Sequence, residues 1–96
     1  MNAGKAHADV VVYGTRLCGY CRRARDLLVS RGIEFEERAV DSDLEKRREM
    51  ESLSGRRTVP QIFIDGRPIG GYDALRALDT SGRLDCLVFR DAADRP

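Results

Sequence analysis

The sequence predicts one α/β domain, a four-stranded mixed β-sheet flanked by helices, in the order β-α-β-α-β-β-α. Three observations carry that expectation. Val10, Val11, Val12 and Tyr13 form an unbroken β-branched and aromatic run, the mark of a buried strand. Ala24, Leu27 and Leu28 then recur at helical spacing, so a strand passes into an amphipathic helix. Asp65-Gly66, set between the short runs Gln61-Ile62-Phe63-Ile64 and Arg67-Pro68-Ile69, is a strong two-residue hairpin signal.

Taken in order, residues 1–8 read as a loose lead-in and the first strand covers about Val10 to Gly14. The turn Thr15-Arg16-Leu17-Cys18-Gly19-Tyr20-Cys21 follows, then a first helix over Arg22 to Arg31 with Gly32 as its stop. Ile33 to Val40 reads as a second strand with imperfect alternation, and a strand-helix-strand unit of this length implies a parallel pair. Ser42 with Glu45 matches a capping box for a highly charged second helix, whose apolar edge is Leu44, Met50 and Leu53 and whose end is Gly55. The hairpin strands come next. Pro68 cannot donate to a ladder, so the fourth strand belongs at the sheet edge. Gly70-Gly71 breaks that strand, and Tyr72 to Leu78 forms a third helix with Asp73 in its first turn. After Ser81-Gly82, the residues Leu84, Leu87, Val88 and Phe89 suggest a short helical segment closing the core. A single domain thus spans 1–96, with its core at about 9–89 and a polar tail at 90–96.

Composition excludes several classes of function. Seventeen basic and sixteen acidic side chains leave a formal charge of +1, so no electrostatic footprint for nucleic acid is visible. No apolar run approaches the ~20 residues that span a bilayer, and Met1 to Asp9 lacks the apolar core of a secretory signal. The expected location is cytoplasmic. Three cysteines is an odd number, and only Cys18 and Cys21 are close, which argues against a disulfide-stapled scaffold. In a reducing compartment such a pair is catalytic or metal-binding.

The two cysteines straddle a strand-to-helix turn. A thiol there meets the first backbone N–H groups of the helix, which have no intrahelical partner, at the positive end of the macrodipole; both favour thiolate. Arg16, Arg22 and Arg23 add positive charge nearby. Cys18, ahead of the helix, can face solvent as the nucleophile, and Cys21 in the first turn should be more covered. Structural zinc would need two more ligands, for which the remaining candidates are Cys86 and His7, far apart and unpaired. Cys86 reads as a small buried apolar residue, and His7 has no partner the sequence can name. Tyr20 and Tyr72 read either as packing or as ligand-facing rings, Asp73 as a helix cap or a positioned anion, and Arg47 as part of a solvated helix face or a ligand for an anion.

Three blocks in order narrow the reading. Tyr13-Gly14-Thr15 through Cys21, then Ser54-Gly55-Arg56-Arg57-Thr58-Val59-Pro60-Gln61-Ile62-Phe63-Ile64, then Ile69-Gly70-Gly71-Tyr72-Asp73-Ala74-Leu75 resemble the marker blocks of the glutaredoxin family, which has the thioredoxin-like fold. The resemblance covers roughly Asp9 to Leu87 and is far more specific than Cys-x-x-Cys alone. It implies a glutathione-dependent thiol-disulfide oxidoreductase that reduces protein–glutathione mixed disulfides and protein disulfides, with Cys18 attacking and Cys21 resolving. It further implies a cis peptide bond at Val59-Pro60, with Thr58, Val59 and Pro60 presenting backbone to the glutathione cysteine. Gly71, Tyr72 and Asp73 would hold the γ-glutamyl end, and Arg47 and Arg57 the glycine carboxylate. Its partners would be glutathione and glutathionylated or disulfide-bonded proteins, with no nucleic acid and no membrane.

Two departures from the family pattern stand out. Thr15 replaces the usual lysine three residues before the first cysteine, and Arg16 is the candidate substitute. Gly19-Tyr20 replaces the frequent Pro-Tyr between the cysteines. In relatives lacking that proline, some dimers bridge a [2Fe-2S] cluster through the first cysteine and bound glutathione, so an alternative function is a cluster-binding dimer using Cys18. Otherwise the expected state is a monomer with no metal.

Overall fold

In this computed structural model the described residues are 5–91. Strand β1 (Lys5–His7) is followed by β2 (Val10–Gly14), α1 (Gly19–Ser30), β3 (Glu36–Ala39) and α2 (Leu44–Ser54). Then come β4 (Gln61–Ile64), β5 (Arg67–Gly70), α3 (Tyr72–Thr80), α4 (Arg83–Val88) and β6 (Phe89–Asp91). The main sheet has the order β3-β2-β4-β5, with β2 parallel to β3 and antiparallel to β4, and β5 antiparallel at the edge. This is the expected four-stranded mixed sheet, and Pro68 sits on its edge strand. The hairpin between β4 and β5 has positive φ at both Asp65 (51°) and Gly66 (78°), as a type I′ turn requires.

The side-chain period of two divides the core into halves. Val10 and Val12 of β2 and Ile62 and Ile64 of β4 face one way, against Ala24 and Leu28 of α1, Leu75 of α3 and Leu84 and Val88 of α4. Tyr13 of β2 and Phe63 of β4 face the other way, with Val40 and Met50 of α2. The central strand is therefore apolar throughout because both of its faces are covered. On the second face Tyr13 donates its hydroxyl to Glu49, and Arg38 Nη1 donates to both Tyr13 Oη (2.7 Å) and Glu49 (2.6 Å), tying β2, β3 and α2 together.

Several expectations need correction. The lead-in is not all loose: β1 pairs antiparallel with β6, Lys5 opposite Asp91 and His7 opposite Phe89, so Phe89 leaves the final helix for a strand. His7 has partners after all. Its Nε2 accepts the Glu34 N–H (3.1 Å), its Nδ1 lies 2.7 Å from the Ala8 carbonyl oxygen, and its ring meets Phe89 edge-on at 5.1 Å. The first helix begins three residues early, at Gly19, and β3 begins late, at Glu36, because Ile33 bonds back to the Leu28 carbonyl (2.9 Å). Asp43, not Ser42, caps α2, its carboxylate accepting the Glu45 and Lys46 N–H groups at 3.0 and 3.2 Å. Of the proposed apolar edge only Met50 is buried, while Leu44 and Leu53 are 62% and 55% exposed. Cys86 is exposed rather than buried. Residues 1–4 and the tail beyond Asp91 lie outside the described residues. No helix among the described residues is long and apolar enough to cross a membrane.

Candidate functional site

Cys18 is the N-cap of α1, with extended backbone (φ −81°, ψ 122°) and its carbonyl accepting the Arg22 N–H at 3.1 Å. Its sulfur is half-buried and lies 3.9 Å from the Val59 carbonyl oxygen, so the cysteine turn and the proline loop meet. The Val59-Pro60 peptide is cis. That loop is pinned from beneath by Gln61, a buried polar side chain whose carboxamide donates to the Thr58 carbonyl (2.9 Å) and hydroxyl (3.2 Å).

The two thiols titrate in opposite directions. Partial burial works against the Cys18 thiolate, but the backbone N–H of Cys21, the Cys21 thiol, the Tyr20 N–H and the Arg25 guanidinium together outweigh it and hold the Cys18 pKa below that of an ordinary thiol. Cys21 has no exposed surface, and burial pushes its thiol up; a backbone hydrogen bond from Thr15 opposes this, and the Cys18 sulfur adds to it. Gly14, at the end of β2, makes room for this: a Cβ there would stand 2.9 Å from Cys21 Sγ. The cation acting on both sulfurs is Arg25, half-buried beside Glu37 at 3.5 Å. Arg22 instead faces Asp26 (3.8 Å), and Arg23 lies over the Tyr20 ring (5.3 Å). The sequence held a signal for Arg25, which stands one helical turn after Cys21.

Beside the cysteine turn a groove of about 370 Å³ opens. Its walls include Tyr20, Thr58, Val59, Pro60, Gly71, Tyr72 and Asp73, seven of the residues singled out from the sequence. Cys18 borders the groove through its approach to Val59. Tyr20 and Tyr72 stand with ring centroids 6.2 Å apart, and Gly71 lies where a Cβ would come 3.4 Å from the Pro60 carbonyl oxygen. The three arginines assigned to carboxylates are not in the groove wall. Arg47 and Arg57 are brought together outside it, the Arg47 guanidinium donating to the Arg57 carbonyl at 3.2 Å, while Arg57 itself is 3.7 Å from Glu51. Arg16 lines a separate hollow with Arg25, Glu37 and Arg38. Arg56, which sequence reasoning passed over, is in the groove wall.

No group of three or more His, Cys, Asp or Glu among the described residues could hold a metal ion. Cys18 is the thiol at this site with a reachable sulfur, so a cluster held here would take Cys18 and draw its other ligands from outside this chain.

An activated thiol at a helix start, a buried partner one turn on and a cis-proline loop beside a groove form one arrangement, and comparison with known proteins finds the same arrangement's family. A family model described as Glutaredoxin matches residues 10–69. Glutaredoxin 3 of Escherichia coli K12 is 52% identical over 81 residues, covering 84% of this chain and 98% of that protein. The solution structure of glutaredoxin from Brucella melitensis is 41% identical with a TM-score of 0.76, covering 94% of this chain and 96% of its own. The buckwheat glutaredoxin–glutathione complex is 28% identical with a TM-score of 0.77, covering 84% and 76%. With 60 of its 96 residues inside the family match and about half of 81 aligned positions shared with a relative matched over 98% of its length, the chain belongs to the glutaredoxin family.

Proposed function

We propose that this chain is a glutathione-dependent thiol-disulfide oxidoreductase acting through Cys18. The observation that carries the reading is the position of the Cys18 sulfur, half-buried at a helix start and 3.9 Å from the Val59 carbonyl at the edge of the groove. Family membership and a relative crystallised with glutathione support the choice of thiol.

With a protein–glutathione mixed disulfide, the Cys18 thiolate attacks the glutathione sulfur, the S–S bond breaks, and the protein thiolate leaves to take a proton. A second glutathione thiolate then attacks the Cys18–glutathione disulfide, releasing oxidised glutathione and the Cys18 thiolate. With a protein disulfide, Cys18 attacks one protein sulfur and the second leaves as a thiolate; Cys21 then loses its proton and attacks Cys18 Sγ, displacing the first protein sulfur as a thiolate and closing a Cys18–Cys21 disulfide that two glutathiones reduce. Thr58, Val59 and Pro60 would offer backbone to the glutathione cysteine, and Gly71, Tyr72 and Asp73 would receive the γ-glutamyl end. Arg47 and Arg57, adjacent outside the groove, are suited to the glycine carboxylate; Arg16 lies farther along the surface, in its own hollow.

The test is turnover of a glutathione mixed disulfide and of a protein disulfide by the Cys18→Ser and Cys21→Ser variants. Cys18→Ser is expected to lose both activities and Cys21→Ser only the second. Undiminished turnover by Cys18→Ser would sink the proposal.

A further inference from the structure

Among the described residues Leu17 is the most exposed large apolar side chain, at 99%, and it stands in the turn directly before Cys18. Turns favour Gly, Pro, Asn, Asp and Ser, whose side chains serve the turn itself. A leucine there adds nothing to the turn and buries nothing. Exposed leucines scattered on helix faces are ordinary, and Leu44 and Leu53 of α2 are of that kind. Leu17 differs in its neighbour. When the Cys18 thiolate attacks a protein disulfide, a new S–S bond joins Cys18 to one target sulfur and the other target sulfur leaves as a thiolate. A disulfide holds its two Cα atoms about 4.4 to 6.8 Å apart, and consecutive Cα atoms are about 3.8 Å apart. The residues flanking the captured cysteine therefore come within reach of the Leu17 side chain. The charge around them is of one sign. Thr15 to Arg25 contains four arginines and no Asp or Glu. Of the exposed Arg16, Arg22 and Arg23, only Arg22 forms an ion pair among the described residues, with Asp26 at 3.8 Å.

We propose that Leu17 is the docking point for protein substrates, taking the apolar side chain next to the cysteine of a target disulfide, in a segment whose acidic residues meet Arg16 and Arg23. This rests on the reading of the chain as an oxidoreductase acting through Cys18, and it names the class of protein reduced. Leu17 is in the wall of neither the groove nor the hollow that Arg16 lines, so a protein target meets it without entering either. Covering about half of a leucine side chain strengthens an encounter about three- to tenfold. The arginines act at longer range and favour acidic segments in a salt-dependent way.

The experiment uses single-cysteine peptides, each supplied as its symmetric disulfide dimer, with Leu or Ser on both sides of the cysteine and with acidic or lysine residues beyond. Their reduction by the parent protein, Leu17→Ser and Leu17→Met is followed with glutathione as reductant, after subtraction of the uncatalysed rate. The Leu17 side chain packs against no core, so both variants should fold, which far-ultraviolet circular dichroism checks. The parent should reduce the acidic Leu peptide with a kcat/KM about three- to tenfold above that for the acidic Ser peptide, the difference falling in KM. Leu17→Ser should bring that ratio near one, and Leu17→Met should restore most of it. Lysine in place of the acidic residues should slow reduction of the Leu peptide by the parent, and the gap should narrow as salt is raised. A ratio near one in the parent, or a ratio that survives Leu17→Ser, would overturn the docking role; lysine peptides reduced as fast as acidic ones would overturn the acidic partner. A glutathione mixed disulfide assayed in parallel separates the two levels: if the parent turns it over, the oxidoreductase reading stands whatever the peptides show, and if the parent turns over neither, both readings fall.

Discussion

Replacing Gly19 by proline tests where the reactivity of Cys18 comes from. Gly19 is the first helical residue of α1, where a missing N–H costs nothing because that group has no intrahelical partner. The residue before a proline must be extended, and Cys18 already is, at φ −81° and ψ 122°. A Cβ at Gly19 would meet nothing within 4 Å. The backbone donors that stabilise the Cys18 thiolate are the N–H groups of Tyr20 and Cys21, neither of which the substitution removes. The change should therefore act mainly on the unfolded chain, stabilising the fold by about 0.4 to 1 kcal/mol. For a domain of this size that corresponds to roughly 2 to 8 °C in melting temperature. Thermal denaturation followed by circular dichroism reads the first effect, and the rate of iodoacetamide alkylation of Cys18 against pH reads the second. The expected outcome is a higher melting temperature with an unmoved alkylation inflection, which lies below that of an ordinary thiol. A lower melting temperature, or an inflection displaced toward the ordinary thiol value, would refute the reasoning by showing that Gly19 itself contributes to the turn or to the thiolate.

Gly14→Ala should destabilise the fold by about 1 to 3 kcal/mol, because its Cβ would stand 2.9 Å from Cys21 Sγ on a packed helix; urea unfolding measures this, and the penalty should shrink when Cys21→Ala is added. Asp43→Ala should cost about 0.5 to 2 kcal/mol through loss of the α2 cap, while Ser42→Ala should stay within about 0.5 kcal/mol, an ordering that reverses if the capping box centred on Ser42 forms in solution. Glu49, Glu36 and Asp79 have carboxyl pKa values held below normal, chiefly by hydrogen bonds from Tyr13, Arg38 and Arg31 respectively. A depressed carboxyl pKa contributes stability above the unfolded value, about 4, and that contribution disappears as pH falls through the folded values; the urea midpoint should fall from pH 6 to pH 3, and a flat profile would contradict it.

What the sequence revealed and what it hid follow from the range of the interactions concerned. The central strand, the hairpin and the cysteine turn are local: their patterns sit within ten residues, and the structure reproduces them. The pairing of β1 with β6 joins Lys5 to Asp91, and three-residue strands carry no period to betray it. Ser42 and Asp43 are both good caps, and only the direction in which the chain enters α2 decides between them. Leu44 and Leu53 look like a helix stripe, yet α2 buries Met50 alone, which packs with Tyr13, Val40 and Phe63 on the second face of the sheet. The arginines were hardest to place. A long flexible cation gives no sequence clue to which of several nearby grooves it lines, so the groove wall includes Arg56, while Arg57, the position before Thr58 that the family pattern favours, stands outside it.

The unequal roles proposed for the two cysteines need no separate device for each sulfur, because one helix start produces both. Cys18 caps α1, so the N–H groups of Tyr20 and Cys21, left over by the helix, converge on its sulfur. Cys21, three residues later, is turned through most of a helical turn and so points inward at the end of β2. There Gly14 offers no side chain, the sulfur is sealed from solvent, and burial favours its neutral thiol. A reaction that must begin at an ionised sulfur and finish at one that stays protonated until needed gets both states from the geometry of a single turn. The condition is that the strand behind it ends in glycine, so any side chain at position 14 should disturb the second cysteine before it disturbs the first.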